Sequence, residues 1–196
     1  MDDELQLSIL VIDANPVRAA ILEAGLVAAG YGRVMMIHSL SNLVTRIKLL
    51  APDVILIDLE NPDRDTLENM YQVTREIRRP IAVFVDQSDR GMVRKAIEAG
   101  VSAYVVDGLT KERVQPIVET AISRFQAFDR LRQERDAARN ALEERKIIER
   151  AKGLFMEKRG LSEQEAYHAM RKAAMRDNRK LVDVALGLIT ALQMDL

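Results

Sequence analysis

The chain has no cysteine and no tryptophan, only 4% aromatic residues, and just five prolines and nine glycines among its 196 residues. Without cysteine there is no disulfide framework, no thiolate metal site and no cysteine nucleophile, and a reducing interior is the natural setting. The scarcity of proline and glycine, together with 48% hydrophobic and 30% charged residues, excludes a disordered chain and points to a helix-rich fold. No apolar run is long enough to cross a bilayer. The opening MDDELQLSILVID starts acidic and its apolar part is too short for a signal segment, so a cytoplasmic protein without membrane contact is expected. The two histidines, His38 and His168, lie far apart in sequence and are expected to be structural rather than a ligand pair. Acids without a positioned base, metal triad or phosphate-cradling glycine loop make no recognisable active site, so no catalysis is expected and no cofactor is required.

What is present divides in two. The length suits one ordinary domain plus a smaller module. The net charge of −1 conceals a split, with 15 basic and 11 acidic residues from Arg130 onward against 14 basic and 19 acidic before it. An acidic front and a basic tail are compatible with nucleic-acid binding, self-association or autoinhibition.

In the front part, five short apolar runs alternate with amphipathic stretches: Ile9–Asp13, Val34–Ile37, Val54–Asp58, Ile81–Val85 and Ala103–Val106. Runs without polar alternation are buried on both faces, which predicts a parallel sheet between two layers of helices, an α/β doubly wound domain. Asn15 and Pro16 supply a cap and first-turn proline for the first helix, while Gly30 and Gly100 end helices before strands. Such sheets gather their chemistry at the carboxyl ends of the strands, where Asp13, Asp58, Asp86 and Asp107 are all expected.

The segments ILVIDAN, DVILIDLENPDRD and EAGVSAYVV resemble the receiver domain of two-component response regulators, which is flavodoxin-like with five strands. The resemblance implies that Asp58 is the phosphoacceptor position, served by a histidine kinase, with Mg²⁺ held partly by an acidic pair after the first strand. Of that pair only Asp13 is present, because Ala14 follows it, so Asp13 and Asp58 are the candidate metal ligands. The places where the family carries a Ser or Thr and a Lys are Val85 and Asp107. Exchanging a cation for a carboxylate reverses its interaction with an incoming dianion, so a degenerate receiver used for protein contact is the competing expectation.

No glycine or proline interrupts residues 117–152, which predicts a long helix. Within it Phe128, Leu131, Arg135, Ala138 and Leu142 follow a three-four spacing, a thin coiled-coil seam that Arg135 and Ala138 weaken. A solvated single helix competes with a homodimer here.

The tail carries Arg150, Lys152, Lys158, Arg159, Arg171, Lys172, Arg176, Arg179 and Lys180 on a regular helical pattern. Gly160 should stop one helix. Ser162 and Glu165 form a capping box for the next, with Ala166, Met170, Ala173 and Ala174 as its buried stripe. After an Asp177-Asn178 turn, Leu181, Ala185, Leu188, Ile189 and Leu192 make the stripe of a third helix. Such a cation excess suits a polyanion, although charge alone favours an ordinary solvated helix surface.

The text AKGLFMEKRGLSEQEAYHAMRKAAMRDNRKLVDVA, with Ala151, Lys152, Gly153, Met156, Gly160, Leu161, Ser162, Ala166, Arg171, Ala174, Asn178, Leu181, Val184 and Ala185, closely resembles the ANTAR family. That resemblance implies an RNA-binding antitermination module that engages stem-loops of leader transcripts, paired through the coil. The RNA contacts expected are Lys152, Arg159, Arg171, Arg176, Arg179 and Lys180, with Asn178 at a base edge. The expected organisation is a receiver-like domain over 1–122, a connector helix over 123–141 and a three-helix module over 142–196. With RPIAVFVDQSD and AYVVDGL in place of usual receiver signatures, the whole looks most like NasT-type regulators of nitrate and nitrite assimilation, which implies a nitrate-sensing inhibitory partner protein. A DNA-binding response regulator and a non-catalytic protein-binding scaffold are the alternatives.

Overall fold

Each of the five apolar runs becomes a strand in the computed structural model, which describes residues 6–59, 64–107 and 109–194. The acidic start, residues 1–5, lies outside the described residues. The strands are β1 (Ser8–Asp13), β2 (Arg33–Ile37), β3 (Val54–Leu59), β4 (Ile81–Val85) and β5 (Ala103–Val106). They are interleaved with the helices α1 (Pro16–Ala28), α2 (Leu43–Leu50), α3 (Arg64–Glu76) and α4 (Arg90–Ala99). A long helix α5 (Lys111–Arg159) follows, then α6 (Glu163–Arg176) and α7 (Leu181–Met194).

All pairings are parallel and the strand order is β2-β1-β3-β4-β5. The order reverses direction beside β1, so the carboxyl ends of β1 and β3 flank the crevice in which doubly wound sheets bind ligands. Register puts Asp13 opposite Asp58 there, and Asp58 opposite Phe84.

The alternation of the strands divides the core. Ile9, Val11, Leu56 and Phe84 face a layer made by Leu22 and Leu26 of α1 and by Val114, Val118, Ala121 and Ile122 of α5. Leu10, Ile12, Ile55, Ile57 and Val83 face Ile47 of α2, Met70 and Val73 of α3 and Ala96 of α4. These side chains are almost wholly withdrawn from water, and each large aliphatic one contributes about 1.5–3 kcal/mol by its burial. Both sides are therefore covered, as continuous apolar strands require.

The start of α1 is set as its sequence implies: Asn15 Oδ1 accepts from the Val17 N–H at 3.0 Å, and Pro16 fills the first turn. Gly100 ends α4 at φ 103°. The chain forms two compact units, Met1–Asp129 and Arg130–Leu196. In the second, Ala151, Met170, Ala185 and Ile189 make a small core, with Ile147, Ile148, Leu154, Phe155, Leu181 and Leu188 packed on it. The first of the three expected short helices is the end of α5, which stops at Arg159 because Gly160 takes φ 67°. At the start of α6 the capping box is complete: Ser162 Oγ accepts from the Glu165 N–H at 3.3 Å, and Glu165 Oε2 accepts from the Ser162 N–H at 2.9 Å.

Candidate functional sites in the two units

The acidic pocket is built by register and then filled from a helix. Asp13 and Asp58 end neighbouring strands and are buried, 2% and 3% exposed. Alone they would be two desolvated like charges a strand spacing apart, an arrangement that cannot keep both ionised without a cation. Arg18, on the first turns of α1, supplies it. Its Nε donates to Asp58 Oδ2 at 2.6 Å and its Nη2 to Asp58 Oδ1 at 2.9 Å, while Nη1 donates to Asp86 Oδ1 at 2.7 Å. The fork is the bidentate guanidinium–carboxylate geometry, with a third prong to a second acid. Exposure rises across the triad, from nothing at the Asp58 side chain through 19% at Arg18 to 40% at Asp86.

The hydrogen bonds with Asp58 hold Arg18 firmly charged. Burial still pushes the Asp58 carboxyl above the usual carboxylate range, against the pull of Arg18. Asp13 is pushed up to about 6, first by burial; the Asn15 N–H bonded to Oδ1 at 2.7 Å opposes the rise and the neighbouring Asp58 charge adds to it. Asp13 Oδ2 is buried without a hydrogen-bond partner.

Two expectations change at this point. The four carboxylates do not share one pocket: Asp107 is exposed, sits at φ 47° after β5, and forms no ion pair with Arg18 among the described residues. Nor do Asp13 and Asp58 fit a divalent cation. Both Asp58 oxygens are taken by Arg18, Ala14 supplies no second acid, and no group of three metal-capable side chains exists among the described residues. Hard cations need several convergent oxygens, and a guanidinium charge in their midst opposes them. Val85 is buried and apolar where a hydroxyl would grip a phosphoryl oxygen. The sequence reading missed Arg18 altogether. The signal was indirect: an acidic cluster lacking its lysine requires another cation, and Arg18 is one of the first residues of the helix that leaves Asp13.

His38 is structural, its Nδ1 3.0 Å from the Asp13 carbonyl oxygen, and His168 is exposed on α6.

In the second unit the buried faces of α6 and α7 leave a cationic exterior. Arg159, Arg171, Arg176, Arg179 and Lys180 are exposed, as are Arg150, Lys158 and Lys172. Arg176 donates to Asp177 at 2.7 Å, and Arg179 Nη2 to the Asp183 carbonyl at 3.3 Å, so these two are steadied at the α6–α7 turn. Asn178 forms that turn at φ 49°, a left-handed conformation that asparagine tolerates better than most residues. Its place in the motif is therefore accounted for by backbone geometry.

Lys152 behaves differently from the other cations. It is 9% exposed, and its Nζ lies 2.7 Å from both Glu149 and Glu163, so it ties α5 to the start of α6 with its charge neutralised. A structural role thus stands beside its expected role in RNA contact. What the sequence reading passed over is Tyr167, which with Arg171 and Met175 forms an exposed stripe at four-residue spacing along α6, Tyr167 being 41% and Met175 74% exposed.

Along α5, residues 130–135 and 137–146 are all exposed, and Phe128, Leu131 and Leu142 remain 64%, 61% and 54% exposed. The candidate seam is therefore uncovered by the chain itself.

Residues 9–119 match the response regulator receiver domain, and residues 136–189 match the ANTAR domain. The chain belongs to the response regulator receiver family. This ANTAR-bearing receiver protein is 34% identical over 128 residues to the transcriptional regulatory protein PdtaR of Mycobacterium tuberculosis, a match spanning 65% of this chain and 62% of PdtaR. It is 46% identical over 52 residues to the nitrate regulatory protein of Klebsiella oxytoca, covering 26% of this chain and 13% of that protein. A CheY-like receiver domain protein from Methanospirillum hungatei JF-1 superposes with a TM-score of 0.54 at 14% identity, covering 62% of this chain and 98% of that one. At that identity the likeness speaks for the fold. No helix of the described residues is long and apolar enough to cross a membrane.

Proposed function

We propose that this response regulator is an antitermination factor whose second unit binds hairpin RNA in leader transcripts. The observation that carries the reading is the exposed α6 stripe of Tyr167, Arg171 and Met175, continued at the α6–α7 turn by Arg176, Arg179 and Lys180. An aromatic face beside guanidinium groups suits unstacked loop bases and their phosphates, the way proteins recognise single-stranded parts of RNA. The ANTAR match over residues 136–189 supports an RNA-binding module in this unit. Exposed Phe128, Leu131 and Leu142 support a second copy pairing along α5, so that two modules are offered to two loops. The likeness of 52 residues to a nitrate regulatory protein favours genes of nitrate and nitrite assimilation as targets, and on this reading a nitrate-sensing partner protein governs the receiver. Asp58 stands at the receiver position a histidine kinase would address, but Arg18 holds both its oxygens, which favours control by the partner protein over phosphorylation.

The test is a gel shift with a leader hairpin. Arg171→Glu and Arg179→Glu are expected to weaken binding at least tenfold while leaving the helical circular dichroism unchanged. Unaltered RNA binding rejects the surface, and preferential binding of duplex DNA replaces this reading with a DNA-binding regulator.

A further inference from the structure

A receiver pocket normally has to solve one electrostatic problem, the presence of several carboxylates at the ends of adjacent strands. Here the solution is covalently part of the chain. Asp58 has no exposed side-chain surface and gives both oxygens to Arg18, and the remaining guanidinium nitrogen of the fork reaches Asp86. The hydroxyl and lysine positions that would receive phosphoryl oxygens are Val85, buried and apolar, and Asp107, exposed and anionic.

We propose that Arg18 is the resident cation of this pocket: it stands where a divalent metal would neutralise Asp58, so the receiver holds its folded state without metal and its acceptor carboxylate is closed to metal-dependent phosphoryl donors. Three features converge on this. The guanidinium already holds both oxygens through which Asp58 would bind a cation. Its positive charge raises the electrostatic cost of a second cation within a few ångströms. Asp13 Oδ2, buried against the Asp58 carboxyl without a nitrogen donor, is an oxygen that a metal would have claimed. Control of the receiver then has to enter by protein contact, since the pocket is already occupied by its own helix. The inference concerns the first unit only and stands apart from the RNA reading of the second.

The experiment titrates Mn²⁺ into the full chain and follows free Mn²⁺ by electron paramagnetic resonance, for the unaltered protein, Arg18→Gln, and Arg18→Gln combined with Asp13→Asn. The unaltered chain is expected to bind no stoichiometric Mn²⁺ up to millimolar concentration. Arg18→Gln is expected to gain a single site at least tenfold tighter, and the added Asp13→Asn to abolish that gain. Equal Mn²⁺ binding by the unaltered chain and Arg18→Gln overturns the proposal, as does Arg18→Gln gaining nothing. A second measurement needs no variant at this position. The Arg18 Nε–H resonance of the unaltered chain is expected to be slow to exchange and to keep its intensity with stoichiometric Mn²⁺, and its selective paramagnetic broadening overturns the proposal even if Arg18→Gln fails to fold.

Discussion

Arg18 and Asp58, 40 residues apart, share a two-pronged ion pair in which Nε and Nη2 lie 2.6 and 2.9 Å from the two carboxylate oxygens. The pair is asymmetric, because Asp58 is fully enclosed while Arg18 keeps some exposure and a second partner in Asp86. Removing the guanidinium strands a buried carboxylate, a loss of about 3–5 kcal/mol at neutral pH. Removing the carboxylate charge leaves Arg18 bonded to Asp86, and burial, which raises the Asp58 pKa, makes that charge costlier in the fold than in the unfolded chain. Urea unfolding at pH 7.5 should therefore show Arg18→Gln strongly destabilised, Asp58→Asn within about 1 kcal/mol of the unaltered chain, and the double variant more stable than Arg18→Gln alone. Equal losses for the two single variants would show the pair to be an ordinary surface contact.

The strands and caps were legible because their signals are local. The apolar runs at Ile9–Asp13 and Val54–Asp58 had no other use than burial on both faces, and Asn15, Gly160 and Ser162 each answered a specific backbone need at a helix end. The site was legible only as far as register reaches: Asp13 and Asp58 meet because parallel neighbours align their ends. What could not be read was the partner of each charge. Lys152 and Arg18 look, in sequence, like any other helix-surface cation, and only tertiary packing sets one between Glu149 and Glu163 and the other on Asp58. Asp107 failed for the converse reason, since a strand-end position fixes where a backbone arrives but not where its side chain goes when that residue itself turns left-handed.

Lys152 and Arg179 should separate cleanly in RNA binding. Lys152→Met deletes both contacts with Glu149 and Glu163 and should lower the melting temperature of the second unit without changing the salt dependence of RNA affinity at temperatures where it is folded. Arg179→Gln should leave stability alone and reduce the slope of log affinity against log salt by about 1, the mark of one lost phosphate contact. Filter binding at four salt concentrations distinguishes the two, and a reduced slope for Lys152→Met would restore it to the interface.

Gly25 sits where α1 packs tightly against α5. A Cβ there would sit 2.7 Å from Val114 Cγ2 and 2.9 Å from the Lys111 carbonyl oxygen. Alanine improves helix propensity by about 1 kcal/mol, but over-packing against a backbone oxygen costs about 1–3 kcal/mol, since the oxygen cannot rotate away. Gly25→Ala is expected to lose up to about 2 kcal/mol net in chemical denaturation, with Val114→Ala in the same chain recovering part of the clash but not the contact with Lys111. A stabilised Gly25→Ala would mean that α1 and α5 can slide apart freely.

Asp13 gives the receiver a stability that falls as pH rises. Its folded pKa of about 6 lies above the ordinary value of 3.8, so the folded chain keeps a proton that the unfolded chain releases. The contribution is fully present below pH ~4 and is lost progressively as pH climbs through about 6, the loss reaching roughly 3 kcal/mol by pH 7.5, with Asp58 acting in the same direction. Asp13→Asn keeps an acceptor for the Asn15 N–H and removes the buried charge. It should match the unaltered chain near pH 4.5 and exceed it increasingly toward pH 7.5. Urea midpoints at pH 4.5, 6 and 7.5 check this. A difference that stays constant across the three would mean that Asp13 is ionised in the fold throughout, and hence that Arg18 serves Asp13 as fully as it serves Asp58.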